Sequence, residues 1–560
     1  MKKTMLEPDP NEFDVVVCGA TPAGIAAAVR AARGGLRVLL TQHTQHLGGM
    51  CTNGLGQWDA QSDHRRCPIF AEVLEAIETH YRETCGPGSP QHVAATYDHK
   101  AYPVACYEPS VVEAVFNRLV VAERNLSVWT AVYPAGASVR EGRIESVELA
   151  GMSGNSRRTV RAAYFVDATY EGDLAAVAGA PYRVGREAAD EYDEPHAGFA
   201  LIQMEPVEPP PLIASGQLLV HIHGTARRNR VSPESPRTAD GHIQAYNLRG
   251  CVCRDPARRI LLDAPPENYD RSEYVHYKRD GLAIKADING KNSYNSAILP
   301  GENWDYPEGD WATRERITKR HVDFALGWMW FLQNDPSVPA KKQAEAREWG
   351  LPSDEYTDNG HLPYEMYVRE TRRIVGRYVL TENDFTPRPG KIRPPVFEDS
   401  IAFSDWYMDS HSCSRDLHTY AEGRGLTGTP AYPADGKLIL TEHFRPGMIP
   451  YRSLVTEPIE NLIVPVCCSV THVAWGSVRL EPCWIHLGEV AGFAVLQARA
   501  RAEPLNRLDV SRLQQSLLNA GAAIAFFNPR RGAAAEAGAE HQLAACHGAL
   551  DAYDPVLKGR

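Results

Sequence analysis

The sequence predicts an α/β fold built on a buried parallel sheet. Three stretches carry the prediction. Residues 13–56 read as strand, glycine turn, small-residue helix, strand and second glycine loop. Residues 161–173 read as a buried strand that opens into a helix, and residues 449–496 as a late strand, a small-residue loop and an apolar helix. At 560 residues the chain is too long for one compact core, so two or more domains are expected.

In the first stretch, Val15 to Cys18 has the length and β-branching of a buried parallel strand. Gly19-Ala20-Thr21-Pro22-Ala23-Gly24 turns directly into the small-residue segment Ala23 to Ala32, which suits a helix packed tightly on a sheet. Val38 to Leu40 is the second parallel strand. Such a unit places its turn at a helix N-terminus, where free N–H groups and the dipole favour a pyrophosphate. The turn departs from G-x-G-x-x-G, because Thr21 replaces the second glycine and Pro22 follows it. Gln42 stands where an acidic residue is expected at the end of the second strand, and its amide can still hydrogen-bond a ribose hydroxyl. Leu47-Gly48-Gly49-Met50-Cys51-Thr52-Asn53-Gly54 adds a second glycine-rich loop. FAD proteins need such a loop, because the longer cofactor runs past the first strand pair towards its flavin ring.

At this point the chain resembles the FAD-dependent oxidoreductases of the glutathione-reductase-like class. More narrowly, it is similar to the bacterial flavoproteins labelled FAD-dependent oxidoreductase or xanthan lyase, in which G-x-T-P-A-G-I and H-L-G-G-M-x-T-N-G-L-G recur. Gly19–Ile25 and His46–Gly56 match these nearly letter for letter. The resemblance implies a Rossmann-like FAD-binding domain. It implies cofactor contacts from Gly19, Thr21, Pro22, Ala23, Gly24 and Gln42, and from Gly48, Gly49, Met50 and Cys51. His43 and His46 lie where some flavoproteins attach FAD covalently.

Further along, Ile69 to Thr84 and Val111 to Glu123 have helical apolar spacing, and Leu126 to Val132 reads as a strand. In the class resembled, the end of this strand lies beside the adenine, which makes Val132 a backbone contact. Ala137 to Leu149 is a hairpin turning at Glu141-Gly142. Ala163 to Thr169 is a buried strand, and Glu171-Gly172-Asp173-Leu174 opens a helix with Asp173 as its cap. The same flavoproteins carry D-A-T-x-E-G-D-L-A-A here, which implies Ala168 and Thr169 at the cofactor.

Pro206 to Pro211 is a proline-rich break. His242 to Cys253 reads as a strand, similar to the family's Q-A-Y-N-x-R, and Trp311 to Gln333 as a long helix whose aromatics belong in a core. Residues 362–380, with Arg369, and 400–414, with Tyr407, Asp409 and His411, resemble the family's substrate-side strands. Gly423 to Gly428 spells G-x-G-x-x-G but has no strand before it and Pro430 after it, so it reads as a loop. Asn461 to Val466 is a strand, Cys467 to Val478 a loop containing His472, and an apolar helix is expected to start at Leu487 and Gly488. The family places that helix start, with Arg479, at the pyrimidine end of the flavin. The expected division is a FAD-binding domain from residues 1–205 and 446–500, an inserted α+β substrate or cap domain at 206–445, and a helical extension at 501–560.

Composition bounds the rest. Net charge is −11 with no long basic cluster, which argues against nucleic acid. No 18-residue apolar run is present and Met1 to Asn11 has no apolar core, so a cytoplasmic chain with no membrane span is expected. The 12 cysteines are scattered without C-x-x-C, which points to free thiols and no metal site. The position five residues after Cys51 is Gly56, which excludes the paired redox cysteines of a disulfide reductase.

A flavin removes a hydride from a carbon bearing OH or NH, and the protein supplies a base for the heteroatom proton. His472 is the first choice of base and His411 the second, with Asp409 nearby to orient it. Arg369 and Arg479 are placed to hold an anionic group or to stabilise reduced flavin, and Tyr407 completes the catalytic set. The expectation is an FAD-dependent oxidase or dehydrogenase acting on a small polar substrate, a sugar or related metabolite among them, with an unspecified electron acceptor and a homo-oligomer allowed. The alternative is a lyase or isomerase that uses FAD without net redox.

Overall fold

The computed structural model describes residues 9–60, 65–96, 105–154, 156–203, 230–231, 233–275, 281–282, 288–391, 393–414, 417–419, 431–433, 435, 437–440, 445–526 and 539–548. The proline-rich break at 206–211 and the glycine-rich segment at 423–428 lie outside them.

One sheet organises the fold. It comprises β1 (Glu12–Cys18), β2 (Val38–Thr41), β3 (Leu126–Trp129), β4 (Val132–Arg140), β5 (Arg143–Gly151), β6 (Arg157–Asp167) and the late strand Leu462–Ile463. β1 lies at the centre, parallel to β2 on one side and to β6 on the other. β3 continues the parallel set beyond β2. The far side of β6 is shared: the β4–β5 hairpin pairs with its first half, and Leu462–Ile463 runs parallel to Phe165–Val166 in its second half. A strand almost 300 residues downstream therefore completes the sheet, and the α/β domain is discontinuous as the sequence predicts.

Val15 to Cys18 are fully buried, as befits a strand covered on both faces. The helix α1 (Pro22–Arg33) lies on one face, and its alanines let the Glu481–Arg501 helix come close. A Cβ on Gly488 would meet the Ala23 carbonyl oxygen at 2.1 Å, and one on Gly492 would meet the Arg30 Cβ at 2.7 Å. The inserted part has its own apolar cluster, in which Phe324, Trp328 and Phe331 of the Trp311–Asn334 helix pack on Tyr274, Leu248 and Val252. Short antiparallel pairs surround it, Gly250–Cys253 with Lys291–Tyr294 and Tyr246–Asn247 with Ile298–Leu299.

Several elements differ from expectation. Val132 begins β4 instead of ending β3, because Ala131 turns through φ 54° between them. His242 to Cys253 is not one strand: only Tyr246–Asn247 and Gly250–Cys253 pair, each with a different partner. Gly172 is the cap before Asp173, and the Asp173 carboxylate binds Arg314 and Arg372 instead. The segment read as a loop from Cys467 to Val478 contains a helix, His472–Val478, capped by Thr471. The helix expected at Leu487 begins six residues earlier, at Glu481. Pro482 sits in its first turn, where a missing N–H costs nothing. Leu487 and Gly488 thus stand mid-helix, against α1.

Candidate functional site

The C-terminal ends of β1, β2 and β6 meet at one edge of the sheet, where open α/β sheets bind their ligands. Gly19 leaves β1 at φ +92° with its Cα against the Ala168 carbonyl, so a side chain there has neither the conformation nor the room. Gly24 is closer still, its absent Cβ lying 1.8 Å from the Gly19 oxygen. Thr21, the departure from the fingerprint, has a structural purpose. It is the N-cap of α1: its hydroxyl accepts from the Gly24 amide at 3.3 Å and donates to the Ala168 carbonyl at 2.8 Å. It thereby ties the turn to the end of β6.

Gln42 accepts from the Ala20 amide at 3.0 Å and donates to the Glu365 carboxylate. The Val132 amide donates to the Gln42 carbonyl, so Val132 stands beside it. His43 packs on Trp311 with 4.8 Å between ring centroids and lies 3.8 Å from Glu365, and burial lowers its pKa. His46 faces outward and is held between Glu113 and Asp358 at 2.7 and 3.0 Å, stacked on Tyr364. Gly48 to Cys51 enter the helix α2 (Gly49–Thr52). The Met50 amide donates to the Tyr170 hydroxyl, which donates to Glu481 at the start of the Glu481–Arg501 helix. Burial pushes the Cys51 thiol up, which keeps it protonated and unreactive.

The residues present fit a dinucleotide. The amides of Thr21 and Ala23 at the start of α1, and of Gly49 and Cys51 at the start of α2, have no acceptor among the described residues. Two sets of free N–H groups at helix N-termini are the donors a pyrophosphate and its flavin-side continuation require.

Beyond α2 lies a buried polar wall built around the His472–Val478 helix. At its start, His472 Nδ1 faces the Glu370 carboxylate at 2.9 Å and Nε2 faces Ser410 Oγ at 3.0 Å. Burial alone would raise the Glu370 pKa, but His472 and Arg373 outweigh it and hold the carboxyl below its ordinary value. At the other end, Arg479 donates to the Tyr367 hydroxyl at 2.8 Å and to the Asp409 carbonyl at 2.9 Å. Arg369 lies on the Tyr367 ring, 4.3 Å from its centroid, and donates to the Ala245 carbonyl and to Asn295. His411 is buried, 4.0 Å from Asp409, and its amide donates to Gln244. Tyr407 stacks on Trp406 and is only partly buried.

The structure thus brings His472, His411, Arg369 and Arg479 into one wall, leaves Tyr407 at its margin, and sends His46 outward. Glu370, Ser410, Tyr367, Arg249 and Glu481 were not singled out from the sequence as site residues. Glu481 is fully buried, and burial raises its carboxyl to about 7. The sequence offered one signal for it: an acid next to Pro482 marks a helix start.

A Rossmann-like sheet with two free helix N-termini at its carboxyl edge and a buried titratable wall beyond them defines a dinucleotide-dependent enzyme. The chain belongs to the FAD dependent oxidoreductase family, whose model matches residues 14–517, and its cofactor is FAD. No curated protein matches it. Solved structures resemble a part of it. The anhydrotetracycline hydroxylase OxyS of Streptomyces rimosus is 15% identical over 32% of this chain and 35% of its own, with a TM-score of 0.23. THI4 of Thermovibrio ammonificans is 16% identical over 33% and 71%, with a TM-score of 0.23. The myxobacterial chondrochloren halogenase CndH is 16% identical over 32% and 41%, with a TM-score of 0.24. The chain spans about a third of the first of these. Among the described residues no helix is long and apolar enough to cross a membrane, and no group of metal-ligating side chains forms.

Proposed function

We propose that this FAD enzyme, of the glutathione-reductase-like arrangement, oxidises a C–OH or C–NH carbon of a small polar substrate held between the sheet edge and the inserted domain. The observation that carries the reading is the buried series Glu370–His472–Ser410. FAD, when bound, supplies the hydride acceptor. The amides of Thr21, Ala23, Gly49 and Cys51 would hold its pyrophosphate, and Gln42 and Val132 would stand towards its ribose and adenine.

His472 acts as the base. Glu370 holds Nδ1–H, which leaves Nε2 with the lone pair that takes the proton of the substrate heteroatom. Ser410 occupies that lone pair at rest and gives way to the substrate hydroxyl or amine. The imidazolium formed is stabilised by Glu370, a role that requires an ionised carboxylate. His411 lines the same wall, 4.0 Å from Asp409, and serves to border the substrate. The test is anaerobic mixing of the FAD-loaded protein with polyols, sugars, hydroxy acids and amino acids, read as loss of the flavin's visible absorbance. Turnover with no bleaching by any compound consumed would instead mean chemistry without net redox.

A further inference from the structure

Three guanidinium groups converge on one ring. Arg249, Arg369 and Arg479 lie 5.2, 4.3 and 5.9 Å from the Tyr367 centroid, and all three are at least 97% buried. Burying like charges together is costly unless anions answer them. Arg249 has Asp59 at 3.7 Å, and Arg479 has Asp409 at 3.9 Å, which Asp409 shares with Lys437 at 3.2 Å. Arg369 has no carboxylate within 4.0 Å among the described residues. Burial, with Arg479 and Arg249 beside it and Tyr367 opposing them, pulls its pKa down to about 9. Among the described residues, the Nε atoms of Arg369 and Arg479 are buried with no acceptor, as is Gln244 Nε2.

Resting on the oxidoreductase reading, we propose that Arg369 and Arg479, backed by Arg249, bind a carboxylate carried by the substrate, which makes the substrate class a small hydroxy or amino acid. A guanidinium offers a planar fork that matches a carboxylate, and two forks with free Nε–H groups hold it from two sides. Asp59, Asp409 and Glu481 nearby limit the excess positive charge, which favours a monoanion over a phosphate dianion. Distance fits as well. His472 and Arg479 stand at opposite ends of one helix, seven residues or about 10 Å apart at 1.5 Å per residue. Both side chains reach the same run of residues, Tyr367 to Glu370, so acid group and reacting carbon fall within one small molecule.

The test needs no turnover. FAD-loaded protein is titrated with acetate and propionate, and with acetamide and propionamide as neutral counterparts, read by perturbation of the flavin spectrum and by thermal shift. The acids are expected to bind and the amides not. Arg369→Met and Arg479→Met should weaken acid binding about tenfold to a hundredfold, with Arg512→Met on the exposed Val510–Asn519 helix unchanged. Arg369→Lys, which keeps the charge and loses the fork, covers the case in which the methionine variant does not fold. Equal binding of acids and amides, or unchanged acid affinity in folded, FAD-containing arginine variants, overturns the proposal. A lowered midpoint potential of bound FAD in those variants, with acid affinity intact, assigns the charge to the flavin and also overturns it. If acids bind but nothing bleaches the flavin, the oxidoreductase reading fails and the carboxylate site stands. If only neutral alcohols bleach it, the reverse holds.

Discussion

The Cα of Gly488 rests against the carbonyl of Ala23, so that any side chain at 488 would enter the backbone of the dinucleotide turn. Gly488→Ala is expected to force the Glu481–Arg501 helix off α1. Overpacking of a well-filled contact costs about 1–3 kcal/mol, and here the obstacle is backbone, which cannot rotate away. The variant should lose thermal stability and release FAD more readily. Calorimetry and the flavin content of the purified protein read both, and normal values would show that the two helices separate without cost.

Thr21 replaces a glycine and contributes a cap. Thr21→Val keeps the shape and removes both hydroxyl hydrogen bonds, for a loss of about 1 kcal/mol. Thr21→Ser should restore most of it. Chemical denaturation of the three proteins decides; a valine variant as stable as wild type would remove the cap's role.

His472→Ala is expected to slow flavin reduction about 10²–10⁴-fold with FAD retained. Glu370→Gln should slow it as well, because the carboxylate that stabilises the imidazolium is gone. His411→Ala is the comparison: if it alone is slow, the roles of the two histidines exchange. Cys51→Ala should change neither rate nor flavin content. Stopped-flow absorbance with the identified substrate provides all four rates.

Burial raises the Glu194 carboxyl from 4.5 to about 8, with Glu382 and Glu187 adding to the effect. Its Oε1 accepts from Thr471 Oγ and the Glu382 amide, and Arg373 is the cation on the facing strand. The folded state keeps a proton here that the unfolded chain releases above pH 4.5. The stability this provides is present at low pH and is lost as pH rises towards 8. Glu194→Gln stays neutral throughout. It should therefore become more stable relative to wild type across that window, by on the order of 4 kcal/mol at its top. Parallel melting curves from pH 5 to about pH 8.5 that track each other without diverging would show that Glu194 ionises freely.

The parallel sheet was legible because its signals are local. Val15–Cys18, the alanines of α1 and the two glycine loops each state their conformation within a few residues. The late strand was read from its apolar run, but its place in the sheet was legible only through resemblance, since just two residues, Leu462 and Ile463, pair there. The helix at His472 was not, because its small residues, Ala474 and Gly476, read as loop. Gly476 is there for packing: a Cβ would meet the Asp409 amide at 2.5 Å. Arg369 and His472 were found as residue types. Their partners Glu370, Ser410 and Tyr367 were missed because each is an ordinary polar residue until long-range contacts, 102 residues apart for Glu370 and His472, bury it against a charge.

The central claim is that bound FAD accepts a hydride while His472 takes a proton from the same substrate. Anaerobic single-turnover reduction measures it directly, with the substrate deuterated at the carbon to be oxidised. The account predicts that the flavin bleaches, that deuteration slows bleaching, and that His472→Ala slows it further without loss of FAD. Substrate consumption with the flavin fully oxidised throughout, or bleaching at an unchanged rate in His472→Ala, would contradict it.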